Sequence, residues 1–450
     1  MKRTAIMQVV VLLVLTMGTL IALDRPLIRG DGTAYLAWLD TFVRDQDLNL
    51  ENQAERFQPV NTYQVKWDAE LGRYVNIFPF GVAFLEAPFF AAGGLLTATG
   101  LVDQNPSYFL QMQGVNQAYG LMIMAGTNLM ILAALVLIWQ IVRGIVDGWT
   151  AVLVAWGFLM GTPLVYYATV APLNSHAPGA FLTTVLVFLM MRVVPLGQEA
   201  NRPSLIIWLL IGAVAGLMVL VRWQLAAVVA LAWLLMAAQR SNWRGLAVAT
   251  GAAVIVMLPL PVVWNQMFGK PFVVPYDETT GESFFHLPAH AHRVFFRMLT
   301  HSPLLLLSLA GIPFLWRKDR RWAAFCAGTI VLQLMINGST KDWYAGDSYG
   351  ARRMSELYPI YALLAAALLG QFSRAALPVL ARTVFVGVLV YSIVFLFVFF
   401  VFSWTNPDHY FADEPDRMWE YFIENDERGE IIETIFRTHL GPRAWDHPGP

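Results

Sequence analysis

Stretches of apolar residues recur along the whole chain, broken by short polar segments, and many approach the roughly 20 residues that a membrane-spanning helix needs. The pattern predicts eleven spans, near 5–23, 117–142, 149–168, 178–194, 205–221, 223–239, 246–266, 303–316, 322–339, 355–371 and 383–403. The run from Pro203 to Ala238 is too long for one crossing at about 1.5 Å per residue. It divides into two short helices turning at Arg222-Trp223-Gln224. The opening Met1-Lys2-Arg3 followed by an apolar stretch imitates a secretion signal, but no small-x-small cleavage site precedes Asp24, so it reads as an uncleaved first helix.

Cytoplasmic loops of membrane proteins are enriched in Lys and Arg. With the N-terminus inside, the inner loops carry Arg143, Arg192, Arg240, Arg244 and the run Arg317-Lys318-Asp319-Arg320-Arg321, and the C-terminus falls outside. The segment 78–100 is apolar enough to cross, but a crossing there would turn the Arg317 to Arg321 run outward. It is therefore expected as an interfacial helix on the outer side. The resulting organisation is an all-α polytopic bundle over 1–403, with a long first outer loop at 24–116 and a short outer tail at 404–450.

Composition agrees: 57% of the 450 residues are hydrophobic and 14% charged, against about 25% charged in soluble domains. A formal net charge of −1 gives no support to a nucleic-acid partner. The single cysteine, Cys326, can form no intramolecular disulfide. No phosphate-binding glycine loop, dinucleotide fingerprint or nucleophile elbow is present, so nucleotide-driven and serine-hydrolase chemistry lack support.

Candidate chemistry gathers on the outer side. After the first helix come Asp24, then Gly30-Asp31-Gly32-Thr33-Ala34-Tyr35, then Asp45-Gln46-Asp47. Glycines flanking Asp31 permit a tight turn, which either aims the carboxylate as a general base or is only a turn. A second constellation runs from Asn337 through Lys341, Trp343, Asp347 and Tyr349 to Arg352-Arg353. Paired arginines on the outer side oppose the usual charge bias. They suit phosphate oxygens, although pairing with Asp347 or Glu356, or contact with ordinary lipid headgroups, would also account for them. Weaker candidates are His176 in Asn174-Ser175-His176, Arg222 between two helices, Glu86 in the interfacial segment, and His286, His290 and His292, a cluster that Pro288 keeps out of helical ligand spacing.

These passages resemble the GT-C superfamily of membrane glycosyltransferases, in particular bacterial relatives of the protein mannosyltransferases and the lipid A aminoarabinose transferase. The likeness rests on Gly30 to Leu36 with Asp45 to Leu48, on Phe78-Pro79-Phe80-Gly81 and Ala87 to Phe90, on Trp343 to Arg353, and on Asn174-Ser175-His176. The resemblance implies a sugar carried on a polyprenyl phosphate, an acceptor hydroxyl or amine on an envelope lipid, glycan or protein, and inverting transfer on the periplasmic side of a bacterial inner membrane. It makes Asp31 the base or acceptor-orienting group and Arg352 and Arg353 the donor-phosphate contacts, aided by Lys341 and Arg222. Asp24, Tyr35, Asp45, Glu86, His176, Trp343 and Tyr349 are the expected substrate contacts, with no cofactor and no metal. A transporter of a lipid-linked glycan and a noncatalytic envelope scaffold are the rival readings.

Overall fold

A computed structural model describes residues 2–23, 28, 30–57, 64–102, 115–198, 203–239, 242–280, 283, 285–343, 350–372 and 378–405. Asp24, Tyr349 and the tail beyond 405 lie outside the described residues.

The helices in chain order are α1 (Lys2–Leu23), α2 (Asp31–Asp40), α3 (Glu51–Phe57), α4 (Gly81–Ala98), α5 (Gln117–Val142), α6 (Gly148–Met160), α7 (Leu164–Thr169), α8 (His176–Val193), α9 (Leu205–Val221) and α10 (Ala226–Ala237). They continue as α11 (Trp243–Met257), α12 (Pro259–Phe268), α13 (Pro275–Thr280), α14 (Ala291–His301), α15 (Pro303–Leu309), α16 (Ile312–Lys318), α17 (Arg320–Gly338), α18 (Tyr358–Phe372) and α19 (Pro378–Thr405). A small antiparallel hairpin, β1 (Val65–Asp68) and β2 (Arg73–Asn76), sits in the first loop, and a 3₁₀ turn over Arg352–Leu357 leads into α18.

Five helices among the described residues are long and apolar enough to cross a membrane, and several shorter apolar helices accompany them, so the chain is membrane-embedded. Two expected single spans are broken at a glycine. The 149–168 segment stops at Gly161, turns at Pro163 and resumes as α7. The 303–316 segment is likewise divided, at Ala310-Gly311, into α15 and α16. Arg222 interrupts the third long run with an extended backbone, at the place where the length argument put the turn.

Close backbone approach organises the bundle. Gly212 and Gly216 on α9 face Ala249 and Ala253 on α11, and a Cβ on Gly212 would stand 2.0 Å from the Ala249 carbonyl oxygen. Such small-residue spacing lets two membrane helices touch along their backbones. The order of contacts makes α9 and α11 parallel, with α10 returning between them in sequence.

Segment 78–100 forms α4, one of the five helices with the length of a span. Its contacts follow the first half of α5 in antiparallel order: Glu86 meets Gly126 and Thr127, Gly93 meets Tyr119, and Thr97 meets Asn116. It begins against the Leu220 backbone at the end of α9. α4 thus runs away from the level where α8 starts and α9 ends. Trp38 donates to the Phe78 carbonyl and Phe42 stacks on Phe84, so α2 packs beside it. Together α2, α4 and the first half of α5 cap the bundle at the end that carries the site.

Candidate active site

Gly30 precedes α2 with φ 56, a left-handed conformation that glycine adopts without strain, and this places Asp31 as the first residue of the helix. Gly32 fits against the Leu173 carbonyl, where a Cβ would stand at 2.9 Å. The two flanking glycines therefore serve the turn and a close approach to the 172–176 loop. Asp31 Oδ2 lies 3.0 Å from Arg352 Nη1, with the two side chains 18% and 12% exposed. The pair joins the start of α2 to the 3₁₀ turn before α18, more than 300 residues apart in sequence. Burial works against charge on Arg352, but Asp31, Tyr167 and Asp342 outweigh it and hold the guanidinium cationic.

Three further groups adjoin this pair. Arg353 donates to Thr340 Oγ1 at 2.8 Å and to Asp342 Oδ2 at 2.5 Å, which ties it to the end of α17. Arg222 Nη1 lies 2.8 Å from Glu356 Oε1, which also lies 2.7 Å from His176 Nδ1. Tyr35 is buried and hydrogen-bonds Ser175. Burial, followed by the nearby Asp31 charge, raises its phenol above the ordinary value, so it remains a neutral hydroxyl.

Asp31, Tyr35, His176, Arg222, Arg352 and Arg353, drawn from four separate stretches of the chain, thus form one network. The paired arginines are met by carboxylates from different elements, Asp31 for Arg352 and Asp342 for Arg353, while Glu356 serves Arg222 and His176. Trp343 stands at the edge, its ring stacked on His290 at 5.6 Å with Arg293 over it at 5.3 Å. Lys341 is exposed beside it.

Two expected contacts go elsewhere. Asp45 accepts from Asn52 Nδ2 at 2.8 Å and from Gln53, which also bonds Asp40. It braces the far end of α2, roughly 14 Å or more from Asp31 at the helical rise, because all of α2 and the π-helical turn Thr41–Asp45 lie between them. Glu86 is buried between α4 and α5, with Thr127 Oγ1 2.8 Å from its Oε1. Thr127 links it toward the site, its hydroxyl lying 2.9 Å from the Pro172 carbonyl oxygen. Among the described residues no group of His, Cys, Asp and Glu gathers at metal-binding spacing; His290 stacks on Trp343, and the His286 backbone N–H donates to the Ser339 carbonyl.

Tyr167, Ser175, Asp342 and Glu356 are site residues that the sequence did not single out as functional. Glu356 had a readable signal, standing four residues after Arg352 at the start of an apolar helix, where an unpaired carboxylate is costly.

No family model and no curated protein matches the chain in sequence. Solved structures do match in fold. The archaeal oligosaccharyltransferase AglB from Archaeoglobus fulgidus, in complex with an inhibitory peptide and a dolichol-phosphate, aligns with a TM-score of 0.55 at 12% identity, over 100% of this chain and 61% of that one. ArnT from Cupriavidus metallidurans in the apo state aligns with a TM-score of 0.49 at 13% identity, over 83% of this chain and 60% of that one. The chain thus spans about three fifths of the length of these proteins. It shares the mostly helical membrane fold of the archaeal oligosaccharyltransferase.

Proposed function

We propose that the protein transfers a sugar from a polyprenyl-phosphate donor to an acceptor hydroxyl or amine on the periplasmic face of a bacterial inner membrane, with inversion. The observation that carries this reading is the ion pair between Asp31 and Arg352 at 3.0 Å, which places a carboxylate and a fixed cation within one site at the end of the bundle. The GT-C fold supports the same class of reaction.

In this reaction the acceptor oxygen or nitrogen attacks the anomeric carbon from the face opposite the phosphate. The new bond forms as the bond from carbon to phosphate oxygen breaks, and the electron pair leaves with the polyprenyl phosphate. Asp31 takes the acceptor proton. Arg352, with Arg353 beside it, holds the phosphate and neutralises the charge growing on its oxygens, a task suited to cations already fixed in place. Arg222 and His176 are both held by Glu356 beside this pair, with His176 kept a neutral imidazole by its burial and the adjacent arginines. Lys341 and Trp343 lie at its rim.

The test is transfer of radiolabelled sugar from a panel of polyprenyl-phosphate sugars in membranes carrying the wild-type protein or Asp31→Asn. Transfer is expected in the wild type and a loss of about 100-fold or more in the variant. Full activity in a folded Asp31→Asn protein would remove Asp31 from the chemistry. No transfer by the wild type across a validated donor and acceptor panel would favour transport of a lipid-linked glycan.

A further inference from the structure

Glu86 on α4 is fully buried against α5. Gly126 on α5 makes room for its carboxyl, since a Cβ there would stand 2.4 Å from Glu86 Oε2. Among the described residues no cation pairs with the group, and Oε2 meets no donor. Its hydrogen-bonding neighbour is Thr127, whose Oγ1 lies 2.8 Å from Glu86 Oε1 and 2.9 Å from the Pro172 carbonyl oxygen. An ionised carboxylate held in this way would leave its charge uncompensated between two apolar helices, at a large cost.

The hydroxyl of Thr127 decides where the proton sits. A threonine hydroxyl has a single proton, so it donates once and otherwise accepts. The Pro172 carbonyl can only accept, and so can an ionised Glu86. One of the two contacts would then set lone pair against lone pair at hydrogen-bond distance. With the proton on Glu86 Oε1 the chain runs in one direction: Glu86 donates to Thr127 Oγ1, and Thr127 donates to the Pro172 carbonyl. That carbonyl also accepts the Asn174 N–H at 2.9 Å, which uses its second lone pair. Oε2 is then an uncharged carbonyl oxygen, and leaving it without a donor costs less than leaving a carboxylate so.

This chain of bonds ends on the segment around which the site is built. The Leu173 carbonyl packs against Gly32 beside Asp31, Ser175 takes a bond from Arg222 and pairs with Tyr35, and His176 meets Glu356. We infer that Glu86 acts as a neutral carboxylic acid that positions the 172–176 segment through Thr127, and with it Asp31, Tyr35 and His176. It is a positioning residue, because burial between α4 and α5 keeps it from the reacting groups. Its effect on transfer rests on the glycosyltransferase reading; its proton and its hold on the segment do not.

The test uses the full-length protein in nanodiscs. In the infrared, Glu86→Gln at neutral pH should lose one protonated-carboxyl C=O band relative to the wild type and keep the carboxylate bands. Amide hydrogen exchange reads the 172–176 segment, where local opening sets the rate. Thr127→Val removes the link and should speed exchange at Asn174 about fivefold, the equivalent of one net hydrogen bond. Glu86→Met lets the Thr127 hydroxyl turn back to its own helix and should act in the same direction by a smaller factor. Glu86→Gln and Thr127→Ser keep a donor in place and should retain the wild-type rate, which separates positioning from misfolding. In the transfer assay Thr127→Val should lower kcat several-fold and leave the donor KM unchanged, since Arg352 and Arg353 hold the phosphate from another element. Loss of carboxylate bands in Glu86→Gln would overturn the neutral acid. Wild-type exchange in Thr127→Val or Glu86→Met would overturn its hold on the segment, and wild-type kcat in Thr127→Val would overturn its part in the reaction. An inactive wild type that passes the infrared and exchange tests would sink the transfer reading alone.

Discussion

At the scale of single residues, the resting site holds its proposed base and its proposed phosphate clamp against each other. Asp31 occupies Arg352 at 3.0 Å, and a phosphate arriving at Arg352 competes with that carboxylate for the same guanidinium. The two opposed roles give a prediction with a definite sign. Asp31→Asn should abolish transfer yet bind polyprenyl phosphate about fivefold more tightly, because a competing charge of the same sign as the ligand is gone. Equilibrium binding to the purified variant checks this; weaker binding would mean that Asp31 positions Arg352 for the ligand. The residue types gathered here were legible in the sequence because paired arginines outside the expected inner loops are unusual in a membrane protein, as is a carboxylate between two glycines. Their partners were not legible. Asp31 with Arg352, and Arg222 with Glu356 and His176, are contacts between elements far apart in the chain, and no local periodicity reports them.

At the scale of elements, the glycines and the loop between α16 and α17 carry separate consequences. Gly212→Leu would drive a side chain into the α11 backbone, where even a Cβ stands 2.0 Å from an oxygen. Overpacking of this kind costs about 1–3 kcal/mol, to be seen as a lowered unfolding temperature in detergent, while Gly251→Leu on α11, with open space around it, should change little. At the opposite end of the bundle from the site, Asp319 caps α17 and accepts from the backbone N–H groups of Arg321, Trp322 and Gly197. Burial pushes its carboxyl up, but the Arg321 side chain and these N–H groups more than offset that and hold it below the usual carboxylate value. Its contribution to stability is therefore present above the ordinary carboxyl pKa and is lost as pH falls through the lowered one. Asp319→Asn should destabilise the protein at neutral pH and flatten the acid side of its stability profile, which thermal melts between pH 3 and 7 would show (roughly the range in which carboxyls titrate). The breaks at Gly161, Pro163 and Ala310-Gly311 escaped the hydrophobic pattern. Apolarity continues across them, and only the backbone departs from the helix.

At the scale of the whole molecule, the membrane sorts charge in a way that one experiment can read. Hydropathy made the bundle legible, because lipid excludes unpaired polar backbone, and the Arg317 to Arg321 run supplies the expectation for its orientation, since insertion retains basic loops on one side. The broken helices and the cap of α2, α4 and half of α5 were less legible, since an apolar helix packed on protein and one facing lipid have the same composition. The orientation itself yields the last prediction. The only native cysteine, Cys326, is buried, so the wild-type protein should be silent to a membrane-impermeant thiol reagent. Leu287 is 84% exposed just before α14, and Arg317 is exposed at the end of α16. With the site on the outer side, Leu287→Cys should label in intact spheroplasts, and Arg317→Cys only after the membrane is opened. The reverse pattern would turn the chain over, place Asp31 and Arg352 in the cytoplasm, and demand a donor presented from the inner leaflet. Labelling of both sites in intact spheroplasts would instead mean that α15 and α16 do not cross.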